Sequence, residues 1–346
     1  MRSTKPGQAR PRPLEQQTIV ITGASSGIGR CAAMHLAGRG AHIVLTARRR
    51  EALDELVREI ETAGGDALAV PGDVRSEHDL KAVVEAAVDR YGAIDTWVNN
   101  ASIYVQGAVE DITLEEFRQL IDVNLLGYIR GTKCALAQMR RQGDGGIIQV
   151  SSIQALRGTP YFSAYAASKS GLDGFTEALR AELWGTNIHV STLYLPPLDT
   201  PIHQHARGKF GTVPKPPPPV SDPLAAVRAI AKLAEHPEPE LVVGAFGHLY
   251  LILPRIPARI GDWILHRTAG LTRTNIPSLG DNWDRPVTAP PRVRGGWGSR
   301  PAPGHALRET GRLLPWPTLL GLTALGLAAA GVVRSAPGRR GRHRTA

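Results

Sequence analysis

Short apolar runs alternate with longer stretches in which apolar residues recur every three or four positions, from residue 18 to residue 243. The runs at 18–22 (T-I-V-I-T), 42–46, 67–70, 94–98, 147–150, 188–193 and 241–243 read as buried strands. The periodic stretches at 27–38, 50–63, 77–91, 113–141, 163–184 and 222–233 read as helices, the fourth with a break near 122–124. In the second of them Leu53, Leu56, Val57 and Ile60 share one face, and Gly64-Gly65 closes it. Asp222 ahead of Pro223 is a start signal for the last, acid at the cap and proline at the first position. Strands apolar on both faces, alternating with amphipathic helices, predict an α/β fold built on a doubly wound parallel sheet.

Beyond residue 244 the pattern changes, so the chain reads as a single domain plus a C-terminal extension. Residues 1–15 are rich in proline and arginine and are expected to form a disordered basic arm. Residues 16–245 form the α/β domain, and 246–275 an amphipathic extension. Residues 276–312 form a Pro/Gly/Arg-rich linker, 313–333 an apolar segment and 334–346 a basic tail. The connection at 200–220, with prolines at 216–219, is long enough to be a functional loop.

Composition refines this reading in two places. The net charge of +10 sits in the tails. Ten arginines against one acid, Glu309, lie in 286–346, and four cations with no acid in 1–13, which leaves 27 basic and 30 acidic residues between. A slightly acidic body argues against a nucleic-acid partner. Two cysteines, Cys31 and Cys134, exclude a disulfide framework and read as buried free thiols. No apolar stretch of leader length opens the chain, so the domain is expected in the cytoplasm.

The chemistry gathers where strands end. Gly23, Ser25, Ser26, Gly27, Ile28 and Gly29 join the first strand to the first helix, a turn in which glycines allow close backbone approach and the helix start attracts phosphate. Strand before and helix after is the context that a dinucleotide reading requires, which makes the sheet Rossmann-type. After the second strand come Arg48 and Arg49 with no acid before Glu51. Arginine there accommodates the 2′-phosphate of NADP(H), whereas an acid would suit NAD(H), so NADP(H) is favoured over NAD(H). Asp73 and Val74 follow the third strand, and Asn100 and Ala101 the fourth, where they line the adenosine side. Tyr165 and Lys169 are one helical turn apart, which sets an ammonium beside a phenol and favours its ionised form. Ser152 ends the strand before that helix. Taken alone, Tyr-x-x-x-Lys is an ordinary amphipathic pair. His203 and His205 have no third ligand at a metal-like spacing, so no metal is expected.

Together these residues resemble the short-chain dehydrogenase/reductase family over about two thirds of the chain: Thr-Gly-x-x-x-Gly-x-Gly, Asp73, Asn-Asn-Ala, Asn124 in Val-Asn-Leu, Ser152 and Tyr165-x-x-x-Lys169. The resemblance implies an oxidoreductase interconverting a carbonyl and a secondary alcohol by hydride transfer. It implies that Tyr165 is the general acid/base, that Lys169 lowers its pKa and binds the nicotinamide ribose, and that Ser152 polarises the substrate oxygen. Asn124 would hold a water in the proton relay, and Pro196, Leu198 and Thr200 would contact the nicotinamide end. The family's tendency to dimers and tetramers implies a homo-oligomer. Two positions depart from the pattern, Ser102 and Pro197, where glycine is usual.

The extension leaves alternatives open. Residues 246–271 suit an amphipathic pair lying in a membrane interface, or a structural extension packed on the sheet or a partner. Residues 313–333 hold 21 residues without a charge, which as a helix would span about 31 Å, enough for a bilayer core. Pro315 and Pro317 shorten that helix, and five arginines after it oppose the usual orientation. The expectation is a membrane-associated tail and a lipophilic substrate. The rivals are an apolar helix at a subunit interface, an NAD-dependent alcohol dehydrogenase of the same fold, and a nucleotide-binding scaffold without turnover.

Overall fold

The computed structural model describes residues 12–251, 255–277, 281–283 and 290–298. Its strands are β1 (Thr18–Thr22), β2 (His42–Thr46), β3 (Asp66–Ala69), β4 (Thr96–Asn99), β5 (Val105–Gln106), β6 (Gly145–Ser152), β7 (Ile188–Leu195), β8 (Arg207–Gly208) and β9 (Glu240–Val242). Seven of them form a parallel sheet in the order β3-β2-β1-β4-β6-β7-β9. The order reverses direction between β1 and β4, and the crevice outside their carboxyl ends is where such sheets bind ligands. The short β5 and β8 pair with each other, tying the loop after β4 to the loop after β7.

Alternation along the strands sorts the core into two layers. Ile19, Ile21, Ile43 and Leu45 point to one face, where α1 (Gly27–Ala37), α2 (Arg50–Thr62) and α8 (Pro223–Glu235) cover them with Leu36, Leu53, Leu56 and Ile230. Val20, Val44, Trp97 and Ile147 point to the other. There α3 (Glu77–Tyr91), α4 (Leu114–Ile121), α5 (Gly127–Gln142) and α7 (Ser163–Glu182) supply Val83, Leu120, Met139 and Leu179. The Rossmann-type α/β class is as expected.

Helix starts follow local chemistry. Ser76 caps α3 by accepting from the Asp79 N–H, and Gly92 ends it at φ +84°. Thr113 and Glu116 form a reciprocal capping box on α4. Asp222 accepts from the Leu224 N–H ahead of Pro223.

The structure adds detail in three places. The break near 122–124 is a π-turn, Asp122–Leu126, through which α4 runs into α5. An extra residue in the helical ladder shifts the apolar phase while the backbone stays hydrogen-bonded. The basic arm is anchored at its end: Leu14 is fully buried, and Arg12 pairs with Asp95 and Asp144. The described parts of the linker also pack on the body, with Trp283 buried.

In the extension, α9 (Gly244–Tyr250) packs on α6 (Ile153–Leu156), while α10 (Ala258–Thr268) buries Leu265 and exposes Ile260 and Trp263. Among the described residues no helix is long and apolar enough to cross a membrane. The apolar segment 313–333 and the basic tail 334–346 lie outside the described residues.

Candidate active site

One cleft at the carboxyl ends of the strands is lined by every residue singled out from the sequence except Gly29 and Asn124, which stand behind its wall. The glycine turn forms one end. Gly23 has φ +67°, and a Cβ on it would come within 2.7 Å of the Ala101 backbone. The turn is clamped from β4: Asn100 donates its side-chain amide to the Thr22 and Gly23 carbonyls, and the Thr22 hydroxyl accepts from the Asn100 and Ala101 N–H groups. Asn100 therefore shapes the phosphate turn as well as lining the cleft.

At the β2 end the structure adds partners that composition does not reveal. Arg48 donates to the carbonyls of Asn282 (2.7 Å) and Trp283 (3.4 Å). The Gly27 N–H, at the first turn of α1, donates to the Arg292 carbonyl at 2.8 Å. Gly295 and Trp297 donate their N–H groups to the Asp199 carboxylate, and the Trp297 indole donates to the Thr200 carbonyl. The described stretches of a C-terminal strap, 281–283 and 290–298, thus hydrogen-bond to cleft-lining and neighbouring residues beside the glycine turn. Burial works to raise the Asp73 carboxyl, but Arg75, paired with it at 2.7 Å, holds it below the usual range.

The other end holds the proton-transfer candidates. Ser152 terminates β6 and accepts from the Gln154 N–H at the start of α6. Tyr165 and Lys169, one turn apart on α7, are both buried. Lys169 donates to the Val150 carbonyl (2.8 Å) and to the Tyr128 hydroxyl (3.1 Å), while its Nζ is 5.8 Å from the centre of the Tyr165 ring. The expected lowering of the phenol's pKa is not what this arrangement produces. Burial pushes Tyr165 up to about 12, offset in part by a hydrogen bond with Ser152, and burial pushes Lys169 down to about 7.

Asn124, fully buried in the π-turn, grips Ile103 through both its N–H and its carbonyl at 2.9 Å. Both ends of its amide are thus engaged with the Ile103 backbone. The departure at Ser102 is accommodated, since its hydroxyl donates to Asn124 Oδ1 at 3.2 Å. At the second departure the Pro197 carbonyl accepts from the Ser221 N–H, tying the loop after β7 to the start of α8. Pro196, Leu198 and Thr200 line the same wall, and Leu198 bridges to Ser221.

Four residues of this site were not singled out for it from the sequence. Tyr128 holds Lys169. Tyr104 sets its ring edge against Tyr165 with centroids 4.5 Å apart, and accepts from the Gln154 side chain at 2.8 Å. His203 meets the Tyr104 ring at 5.2 Å and is buried. Tyr104 and Tyr128 sit inside apolar runs, where an aromatic reads as core. Among the described residues no cluster of His, Cys, Asp and Glu could hold a metal. Both cysteines are free, Cys134 buried and Cys31 half-buried.

A glycine turn under a helix start, at the reversal of a doubly wound sheet, defines a nucleotide-binding α/β protein with a Ser, Tyr and Lys at the far end of its cleft. The short chain dehydrogenase profile matches residues 17–209, and the chain belongs to that family. Over 274 residues it is 36% identical to an uncharacterized oxidoreductase, YxnA, of Bacillus subtilis strain 168, covering 77% of each chain. It is 36% identical over 189 residues to the 3-oxoacyl-[acyl-carrier-protein] reductase FabG of Thermotoga maritima, 55% of this chain and 77% of that one. A crystal structure of a short-chain dehydrogenase from Streptomyces avermitilis superposes with a TM-score of 0.62 at 28% identity, over 73% of this chain and 98% of that one.

Proposed function

We propose that the protein is an NADP(H)-dependent oxidoreductase that interconverts a carbonyl and a secondary alcohol. The observation that carries this reading is the single cleft with the glycine turn and Arg48 at one end and Ser152, Tyr165 and Lys169 at the other. The turn fits a dinucleotide: Ser26, the cap of α1, makes no side-chain capping bond, and Gly23, Ser25, Ser26 and Gly27 line the cleft at the start of that helix. The nicotinamide, when bound, supplies or accepts the hydride at the substrate carbon.

The chain's own residues handle the oxygen and the proton. Ser152 orients the substrate oxygen by hydrogen bonding, and Tyr165 gives its phenolic proton to that oxygen in reduction or takes one in oxidation. Lys169, buried one turn away, is in reach to stabilise the resulting phenolate by its charge. Asn124 holds the backbone that carries Ser102 and Ile103 into the wall. Tyr104 and the flanking apolar side chains exclude water.

The specific alternative is NAD(H), and it is favoured by Arg48 being engaged with the carbonyls of Asn282 and Trp283. Fluorescence titration with NADPH and NADH separates the two. Much tighter NADPH binding that Arg48→Asp weakens supports the proposal, tighter NADH binding favours NAD(H), and binding of neither overturns the dinucleotide reading.

Association with a membrane through 313–333, with a lipophilic substrate, belongs to the same proposal and rests on the uncharged sequence there. Extraction of the full chain from membranes by alkaline wash without detergent would sink it. A homo-oligomer is likewise proposed from the family, and light scattering tests it.

A further inference from the structure

Buried polar atoms are almost always hydrogen-bonded, so those left without a protein partner are informative when they face one space. Among the described residues, Gln154 Oε1, Thr159 Oγ1 and His203 Nδ1 are buried without a partner, and all three residues line the substrate end of the cleft. Gln154 and His203 are 9% and 6% exposed. They come from separate elements, α6 and the loop after β7, and meet around Tyr104. Gln154 spends one end of its amide on the Tyr104 hydroxyl, and His203 packs against the Tyr104 ring. Exchanging the amide's O and N would satisfy the same bond and still leave one polar atom over.

We infer that Gln154 and His203, with Tyr104 between them, form a subsite for a second, uncharged hydrogen-bonding group of the substrate, set apart from the carbonyl held at Ser152 and Tyr165. This rests on the oxidoreductase reading above and names its substrate class: an apolar carbonyl or alcohol compound carrying an additional hydroxyl, oxo or amide group.

The charge of the second group follows from its surroundings. The cations lining the cleft are Arg48 and Arg49 at the β2 end, and Lys169, whose ammonium is held by Val150 and Tyr128. Burial pushes His203 down to about 3, so it is neutral at ordinary pH and offers no countercharge. A carboxylate here would be desolvated without a partner, which disfavours its binding. The remaining lining, including Ile103, Ile153, Ile202 and Tyr250, is suited to an apolar skeleton.

The test compares three ring ketones on the full chain with whichever dinucleotide binds: cyclohexanone, the same ketone with a hydroxyl opposite the carbonyl, and the same ketone with a carboxylate there. The hydroxy-ketone is expected to exceed both others by about tenfold or more in kcat/KM, chiefly through KM. His203→Phe and Gln154→Leu should each shrink that ratio, and His203→Asn should retain part of it, a selectivity change that mere loosening of the fold would not produce. Preference for the carboxylate, or a ratio unmoved in both variants, overturns the subsite. Failure to reduce any of the three while NADPH or NADH binds counts against the oxidoreductase reading itself, and the subsite falls with it.

Discussion

The ammonium of Lys169 lies 3.1 Å from the hydroxyl of Tyr128, and both groups donate to the carbonyl of Val150, at 2.8 and 3.2 Å. Strand β6, helix α5 and helix α7 are thereby joined at one point directly behind the candidate catalytic phenol. The lysine's charge is kept in place at the expense of its hydration.

That expense has a pH signature. The folded state releases the Lys169 proton near pH 7, whereas an unfolded lysine holds it to about 10.4. Between those values the unfolded chain binds more protons, so this residue makes stability rise with pH. Lys169→Met should abolish turnover yet raise the melting temperature by about 2–4 °C below pH 7. The gain should shrink as pH approaches 10. Differential scanning fluorimetry across that range checks it, and a gain that grows with pH would contradict it.

Tyr165→Phe keeps the ring that packs 4.5 Å from Tyr104 and removes only the hydroxyl. Turnover should fall at least about a hundredfold while cofactor titration is preserved. Residual activity close to the parent's would remove Tyr165 from the proton path.

Gly29→Ala places a methyl group on the Gly23 carbonyl and 2.8 Å from the Asn100 amide nitrogen. The clamp on the turn must open, so loss of dinucleotide binding and a destabilisation of roughly 1–3 kcal/mol are expected. Urea unfolding and fluorescence titration measure the two effects separately.

Trp283 is 2% exposed, stacks under the Arg207 guanidinium at 4.9 Å, and offers its carbonyl to Arg48 and Gln119. Trp283→Ala should lower stability by roughly 3 kcal/mol in urea. Unchanged stability would mean that the strap is not part of the cooperative unit.

The sheet was legible because its signal is repeated: seven apolar runs, each followed by a turn or a periodic stretch. Tyr165 and Lys169 were legible for the same reason, since helical spacing alone puts them on one face. Where the lysine points was not, because Tyr128 lies 41 residues upstream on another helix and looks like core. The π-turn at Asp122–Leu126 is a backbone event inside an apolar run. The strap was hidden for a different reason. Arg292 acts through its carbonyl and Gly295 through its N–H, and no side-chain pattern records what a main chain will bond.

The Gly27 amide and the Arg48 guanidinium are already hydrogen-bonded to main-chain carbonyls. An anionic ligand that seeks those donors therefore enters an exchange reaction, in which each bond it makes replaces one the chain was making with itself. Its measured affinity is a difference between two sets of partners. A factor of ten in that difference is only about 1.4 kcal/mol, on the order of one charge-assisted hydrogen bond. Small sequence changes more than two hundred residues downstream of the glycine turn, at positions with no phosphate to touch, are thus able to set how much dinucleotide the protein holds.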